Sequence, residues 1–350
     1  MTDRRSSKRW LTGLSIVGAL LALPATGIAS PWTMDDDELS IQAGVDFQFA
    51  DEEFLLDGQR QAFPLDGEYN ASSLRLTTRY GFTDKFEMGA QLRLKHVTFE
   101  ADPLVLLAED PASPDEDVPL SEARSRTLDF STNNTGAGDV DLFGRYNFLN
   151  KGTVLLTTET LVKLPTGYQT PSGTFENDSF AEATVQDDVT LGDGQTDLRQ
   201  SLLFGAYIPP SKTFARADIG YEFRFGAPAD QGVASVKVGQ LIGDSLVVFA
   251  GARGALTLFE GETIGKTFIA KDPSIDAQDF FISNIDIKDL TLDRDYVQVE
   301  GGVILKLERV ELQFAYNRIV AGRNIPVINS LNFSTVVTSE NVTRENIEAE

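Results

Sequence analysis

Few residues in this chain of 350 could catalyse a reaction, because it has one histidine and no cysteine. The lack of thiols excludes thiol and zinc–thiolate chemistry. A serine–histidine hydrolase or an aspartate–histidine protease would need His96 to face a catalytic partner. His96 lies in FEMGAQLRLKHVTFE, residues 86–100, where it shares the parity of the apolar residues and so points away from the charged face. We therefore expect no enzymatic activity and no cofactor; a barrel-type hydrolase is the alternative.

Acidic clusters are the second feature that could bind a ligand. Asp115-Glu116-Asp117 and Asp187-Asp188 hold adjacent carboxylates, and Gly192-Asp193-Gly194 resembles a fragment of a calcium-binding glycine repeat. Calcium takes several carboxylate oxygens, but none of these clusters has EF-hand spacing. We expect solvated acidic loops and no metal, with calcium binding as the alternative.

The charge balance limits the partners. The chain has 53 acidic and 30 basic residues, a net charge of −23 at pH 7. Such a chain repels nucleic acid over about a Debye length. We therefore exclude nucleic acid as a partner.

The first 29 residues have the features of a secretory signal peptide. A basic region spans Arg4 to Arg9, a short apolar stretch spans Leu11 to Leu23, and Gly27-Ile28-Ala29 supplies small residues for cleavage. We predict a signal peptide at 1–29 and a short periplasmic leader at 30–38, too short to form a plug domain.

Alternation of apolar and polar residues recurs along the chain and predicts twelve β-strands. Each has about the nine to eleven residues that a tilted strand needs to cross a bilayer, or slightly more. The predicted strands are 39–50, 72–82, 86–99, 139–149, 153–164, 196–208, 213–225, 232–242, 245–259, 294–307, 310–320 and 326–337.

The connections between these strands alternate between tight turns and longer loops. This alternation is typical of outer-membrane barrels, which have short periplasmic turns and long extracellular loops. We therefore predict an all-β fold, an antiparallel transmembrane β-barrel over 39–337 with long acidic extracellular loops, followed by an acidic tail at 338–350. The pattern leaves the register of the closing strand open.

Strand parity assigns the two faces of this barrel. Apolar residues would face lipid, and a nearly neutral mixture of twelve basic and ten acidic residues would face the lumen. The candidate lumen-lining residues for transport are Glu87, Arg93, Lys95, Arg145, Glu159, Arg216, Asp218, Glu222 and Arg224.

Three stretches, the last followed by a hairpin into a further strand, resemble a known family. They are GAGDVDLFGRYNF at 136–148, LVKLPTGYQTPSG at 161–173, and GDGQTDLRQSLLFGAY at 192–207 with the following strand DIGYEFRF at 218–225. They are similar to outer-membrane β-barrels assigned as transporters of the meta-pathway of phenol degradation. The resemblance implies transport of hydrophobic or aromatic compounds.

We therefore expect a porin-like channel in a Gram-negative outer membrane for passive passage of small solutes. A lumen obstructed in part by the 101–138 or 165–195 loop is expected, and outer-membrane lipid and lipopolysaccharide are the expected surroundings. The sequence leaves the oligomeric state open. A structural or adhesive barrel with a closed lumen is the first alternative to a channel, and a barrel enzyme is the second.

Overall fold

The computed structural model describes residues 31–107, 126–168, 170–171, 190–270, 280–281, 285–307 and 309–339. The predicted signal peptide, the tail beyond residue 339 and the acidic clusters at 115–117 and 187–188 lie outside the described residues. Within the described part, no helix is long and apolar enough to cross a membrane.

Twelve antiparallel strands close into one barrel, in which every strand pairs with its neighbours in the chain and the first pairs with the last. This confirms the predicted fold class and strand number. The barrel strands are β1 (Leu39–Ala50), β2 (Glu68–Thr83), β3 (Phe86–Glu100), β4 (Thr132–Asn150), β5 (Val154–Leu164), β6 (Thr196–Ile208), β7 (Thr213–Phe225), β8 (Gln231–Ile242), β9 (Leu246–Thr257), β10 (Asp295–Leu307), β11 (Val310–Arg323) and β12 (Asn329–Ser339).

Closure between β1 and β12 gives the barrel its seam. The ladder runs from Leu39 opposite Ser339 to Phe49 opposite Asn329, which defines the register that the sequence left open. Because a closed barrel has no free edge, every strand finds backbone partners on both sides. The seam also puts the start of β1 and the end of β12 at the end of the barrel that carries the tight turns, here called the short-turn end.

Two strands extend farther than the alternation predicts. β2 begins at Glu68 and β4 at Thr132, several residues before the predicted starts at 72 and 139. The added part of β4, TNNTGAG, does not alternate, but its backbone pairs with β3, for example Gly136 opposite Lys95. Backbone pairing needs no apolar face, so this extension left no signal in the hydrophobic pattern.

The connections at the opposite, long-loop end carry short elements of their own. They form three small antiparallel or mixed sheets and one 3-10 turn, and a second 3-10 turn lies between β6 and β7. The sheets are Glu52–Phe54 with Arg60–Ala62 and Ile325–Pro326, Leu104–Leu107 with Arg126–Leu128 and Phe280–Phe281, and Thr263–Ala270 with Ile285–Thr291; the 3-10 turns are Pro64–Asp66 and Pro209–Ser211.

The two faces of the wall follow the predicted parity. Outward residues such as Met88 and Ile219 are 50% and 65% exposed, whereas the inward Glu87 and Arg145 are fully buried. The outward apolar band suits a lipid environment, and the charged side chains point into the barrel, where they pair with one another.

An apolar core, here called the plug, fills the long-loop end of the lumen. Inward residues of the barrel strands, such as Phe99 and Ile319, pack there against residues of the loops. The loop residues include Phe54 and Phe63 after β1, Leu191 before β6, and Val327 before β12. Phe130 belongs to the 101–138 loop, so the obstructing loops include 51–67 and 324–328 as well as the expected 101–138 and 165–195. The plug consists of Ala50, Phe54, Phe63, Tyr69, Val97, Phe99, Phe130, Leu191, Ala255, Tyr296, Ile319, Ile325, Val327 and Ile328.

Candidate functional site

The lumen collects the charged residues of the inward parity into ion-paired groups. The first group, the Glu87 cluster, consists of Arg79, Glu87, Arg145 and Glu159. Arg145 lies directly opposite Glu87 in the β3–β4 ladder and opposite Glu159 in the β4–β5 ladder. Its guanidinium donates to both carboxylates at 2.7 Å, and Arg79 donates to Glu87 at 2.8 Å. Cross-strand pairing thus places alternating charges side by side around the wall.

The chain before β1 enters the lumen at the short-turn end. The backbone N–H of Met34 donates to Glu87 Oε2 at 2.7 Å, and the carbonyl of Pro31 accepts from Thr157 Oγ1 at 2.5 Å. Pro31 also lies over Gly205, where a Cβ atom would come within 2.6 Å of Pro31 Cγ. Residues 31–34 of the predicted periplasmic leader therefore lie inside the barrel, a position that no pattern in the sequence predicts.

A second group, the Asp193 cluster, consists of Lys163, Asp193, Asp197 and Arg224. Asp193 belongs to residues 190–195, here called the inward segment, which enters the lumen from the long loop before β6. Its carboxylate accepts from Lys163 at 2.6 Å and from Arg224 at 2.7 Å, while both cations also pair with Asp197. Burial alone would raise the pKa of Asp193, but the two cations lower it well below its usual value.

This pairing accounts for Gly192-Asp193-Gly194, which resembled a calcium-binding fragment. The Asp193 carboxylate already has two cationic partners, and the hydroxyl of Tyr168 packs where a Cβ on Gly192 would lie. Lys95 donates to the carbonyl of Leu191 at 2.5 Å, which holds the same segment from the β3 side. No cluster of three or more potential metal ligands occurs among the described residues.

All nine candidate lumen residues lie on the inward face, but they do not form one constriction of mutual pairs. Arg93 pairs with Asp141 at 2.9 Å, Arg199 pairs with Glu222 at 3.5 Å, and Asp218 accepts from the hydroxyl of Ser235. The remaining candidates lie in or beside the two clusters, except Arg216. Of the partners that the candidate set omitted, Asp141 and Arg199 lie on barrel strands with the same inward parity, whereas Asp193 belongs to a loop segment.

Two cavities follow the lumen, and Arg216 contributes to the lining of both. The inner chamber, between the two clusters, is lined mainly by charged residues of both signs and has room for a few water molecules, with a volume of about 110 Å³. The second cavity, here called the vestibule, lies at the short-turn end, has a volume of about 560 Å³ and is lined in part by Trp32 and Phe214. Phe214 flanks the tight turn between β6 and β7, a position at which outer-membrane barrels carry an interfacial girdle of aromatic residues. It nevertheless faces the lumen, where its ring meets that of Trp32 edge-on at 6.3 Å.

His96, the only candidate for histidine catalysis, lies on the outer face of β3. Its side chain is exposed, and Nδ1 lies 2.6 Å from the hydroxyl of Thr135. This placement follows the parity expected for it. A hydroxyl of threonine at that position does not orient an imidazole as a catalytic carboxylate would.

A closed antiparallel meander of twelve strands, with an apolar outer face and an ion-paired interior, is the architecture of outer-membrane β-barrels. The fold is similar to the crystal structure of the COG4313 outer membrane channel from Pseudomonas putida F1. The alignment covers 91% of this chain and 100% of that chain, with 13% identity and a TM-score of 0.57. At this identity the similarity shows the fold alone.

Two further solved barrels superpose less well. The Pseudomonas putida toluene transporter TodX shares 12% identity over 94% of this chain and 98% of its own, with a TM-score of 0.38. The β domain of the Bordetella autotransporter BrkA shares 12% identity over 87% of this chain and 100% of its own, with a TM-score of 0.42. Neither score supports an argument about this chain. No family model and no curated protein matches the sequence, so membership of the phenol meta-pathway family stays a prediction.

Proposed function

We propose that this protein is an outer-membrane channel for passive passage of small solutes. The observation that supports the proposal best is the polar lumen of a closed barrel. Its two cavities, the inner chamber and the vestibule, are both lined by Arg216. A wall of paired charges gives a passing solute hydrogen-bonding partners at each step without presenting a large net charge. The predicted signal peptide and the outward apolar band support a location in the outer membrane of a Gram-negative cell.

The lumen is narrow in the described conformation, so passage requires local movement. The inner chamber holds only a few waters, and the inward segment and the plug lie on its long-loop side. The inward segment is held by exchangeable ion pairs, because Lys163 and Arg224 each keep Asp197 as a partner if Asp193 leaves. We infer that displacement of this segment widens the path. The resemblance to the phenol meta-pathway barrels supports hydrophobic or aromatic solutes as the transported class.

Reconstitution of the protein purified from membranes tests the channel. Heat-modifiable gel mobility reports whether the barrel is folded, and planar bilayers report single-channel conductance. We expect a folded barrel with low conductance that rises in Asp193→Asn, because this substitution weakens the hold on the inward segment. A folded barrel that stays silent, including in the Asp193→Asn variant, would overturn the channel.

The plug favours a second candidate, a structural barrel with a closed lumen. Its packed apolar side chains, including the fully buried Ile319, exclude water at the long-loop end. If this is the function, deletion of the gene would leave solute uptake unchanged and weaken the outer membrane against detergents. Loss of uptake with an intact detergent barrier would favour the channel.

A further inference from the structure

The vestibule has one apolar wall, in contrast to the mainly charged lining of the inner chamber. Each strand from β7 to β10, and also β12, has at least one inward apolar side chain near its short-turn end. Phe249 and Val247 are buried there, and Trp32 from the chain before β1 completes the surface. The residues of this wall are Phe214, Leu241, Val247, Phe249, Ile304 and Val336.

Positive charge surrounds this apolar wall. The lining includes five cations and a single carboxylate, Glu311. Four of the cations have a carboxylate partner: Arg79 with Glu87, Lys212 with Asp244, Lys237 with Glu300 and Lys306 with Glu311. Lys237 also lies 4.4 Å from the centre of the Phe249 ring, so cationic and aromatic groups alternate over a few ångströms.

Arg216, the fifth cation, stands apart from these pairs. Its buried Nε makes no hydrogen bond within the described part of the chain. The carboxylates whose charge reaches it are held by other donors. Glu300 pairs with Lys237, Asp218 accepts from Ser235, and Glu159 pairs with Arg145. A buried guanidinium N–H without an acceptor is costly unless a ligand supplies one.

We propose that the vestibule binds small amphipathic carboxylates, with the ring or branched hydrocarbon against Phe214 and Phe249 and the carboxylate on Arg216. This inference rests on the proposed channel function and names the solute class that it would favour. A volume of about 560 Å³ suits a ligand of drug-fragment size. Neutral hydrocarbons would leave Arg216 without an acceptor, and organic cations would be repelled by the positive lining.

The matched probes are para-tert-butylbenzoate and para-tert-butylbenzyl alcohol, which share a hydrocarbon body and differ in charge. Calorimetry on the folded protein in detergent measures their affinities. The fluorescence of Trp32 gives a second readout of binding, because the other tryptophan, Trp10, lies in the predicted signal peptide. We expect the carboxylate to bind about tenfold or more tightly than the alcohol, as for a charge-assisted hydrogen bond. Inorganic phosphate, which lacks the apolar body, should not compete.

The variant Arg216→Gln should bring carboxylate affinity down to that of the alcohol and leave the alcohol unaffected. Arg216→Lys should restore part of the preference. The control Arg60→Gln removes an exposed arginine at the long-loop end and should change neither affinity. Equal binding of both probes by the folded wild-type protein, or an unchanged preference in Arg216→Gln, would overturn the site.

Conductance of the same preparations separates this inference from the channel itself. Conductance without carboxylate preference would overturn the site and keep the channel. Carboxylate preference in a folded barrel that is silent in bilayers would support the site and overturn passage through the lumen.

Discussion

The two ends of the lumen are closed by opposite chemistry. At the short-turn end, residues 31–34 enter among paired charges, and Met34 donates to the carboxylate of Glu87. At the long-loop end, inward positions of the same strands hold apolar side chains such as Phe99 and Ile319, which pack against folded loops. The inward parity of a barrel strand is therefore polar where opposite charges pair across neighbouring strands, as Glu87 and Arg145 do. Where loops cover the end, the same parity becomes a hydrophobic core.

The largest effect should come from the charged side of this comparison. Arg145→Met leaves two buried carboxylates short of cations: Glu87 keeps only Arg79, and Glu159 keeps none. We expect a loss of about 3–5 kcal/mol in the free energy of unfolding, measured in urea with lipid vesicles. The control Lys212→Met, which breaks the exposed pair with Asp244, should have no measurable effect. Equal stability of both variants would show that the buried pairs do not hold the wall.

A smaller loss should follow in the plug. Ile319→Ala removes a fully buried side chain and leaves a cavity, so we expect a loss of about 2–5 kcal/mol. Conductance should rise, because the packing that excludes water is weakened. The matched change Ile219→Ala lies on the outward face and should leave conductance unchanged. If both variants conducted alike, the plug would not be the closure.

A buried carboxyl group next to the plug distinguishes the long-loop end further from the charged clusters. Glu53, just beyond β1, is buried beside Phe54, and burial raises its pKa from 4.5 to about 8 despite a hydrogen bond from Gln61. The folded state therefore holds this proton more tightly than the unfolded state. The stabilisation from this proton should be fully present below pH 4.5 and be lost progressively as pH rises to about 8.

Glu53→Gln is the variant that checks this pH dependence, because it keeps the contact with Gln61 and removes the proton. Between about pH 5 and about pH 8, the free energy of unfolding of this variant should change less than that of the wild type. The same slope in both proteins would assign the pH dependence to other groups.

The smallest change in stability should come from Asp193→Asn. Lys163 and Arg224 keep Asp197 as a partner, so we expect a loss of about 1 kcal/mol. The inward segment should nevertheless become more accessible to protease, and limited proteolysis before and after the substitution measures that. An unchanged cleavage pattern would mean that the other contacts, such as the hydrogen bond from Lys95 to the Leu191 carbonyl and the packing of Leu191 in the plug, are enough to hold the segment.

Local patterns were enough to predict the strands, the tight turns and the two faces of the wall. The charge pairs of the wall follow from parity and register, as Arg145 opposite Glu87 illustrates. The entry of Met34 into the lumen and the position of Asp193 could not be predicted in this way. Both depend on segments without periodicity that dock on partners distant in the chain.

Phe214 shows how a local pattern can mislead. It flanks a tight turn, which suggested an interfacial aromatic, yet it shares the parity of Arg216 and faces the vestibule. Parity was the better guide than position along the strand, because the pleat determines the direction of every side chain.

The seam between β1 and β12 has a consequence for assembly. The hydrogen bond from Gln42 to Ser334 joins residues 292 positions apart, so the closing ladder is among the most non-local contacts that the chain can make. Such contacts form late and slowly, because the entropy of a very long loop must be lost first. Until that step, β1 and β12 are open edges that can pair with other chains. A cell that makes this barrel must therefore shield the two edges until the last strand has arrived.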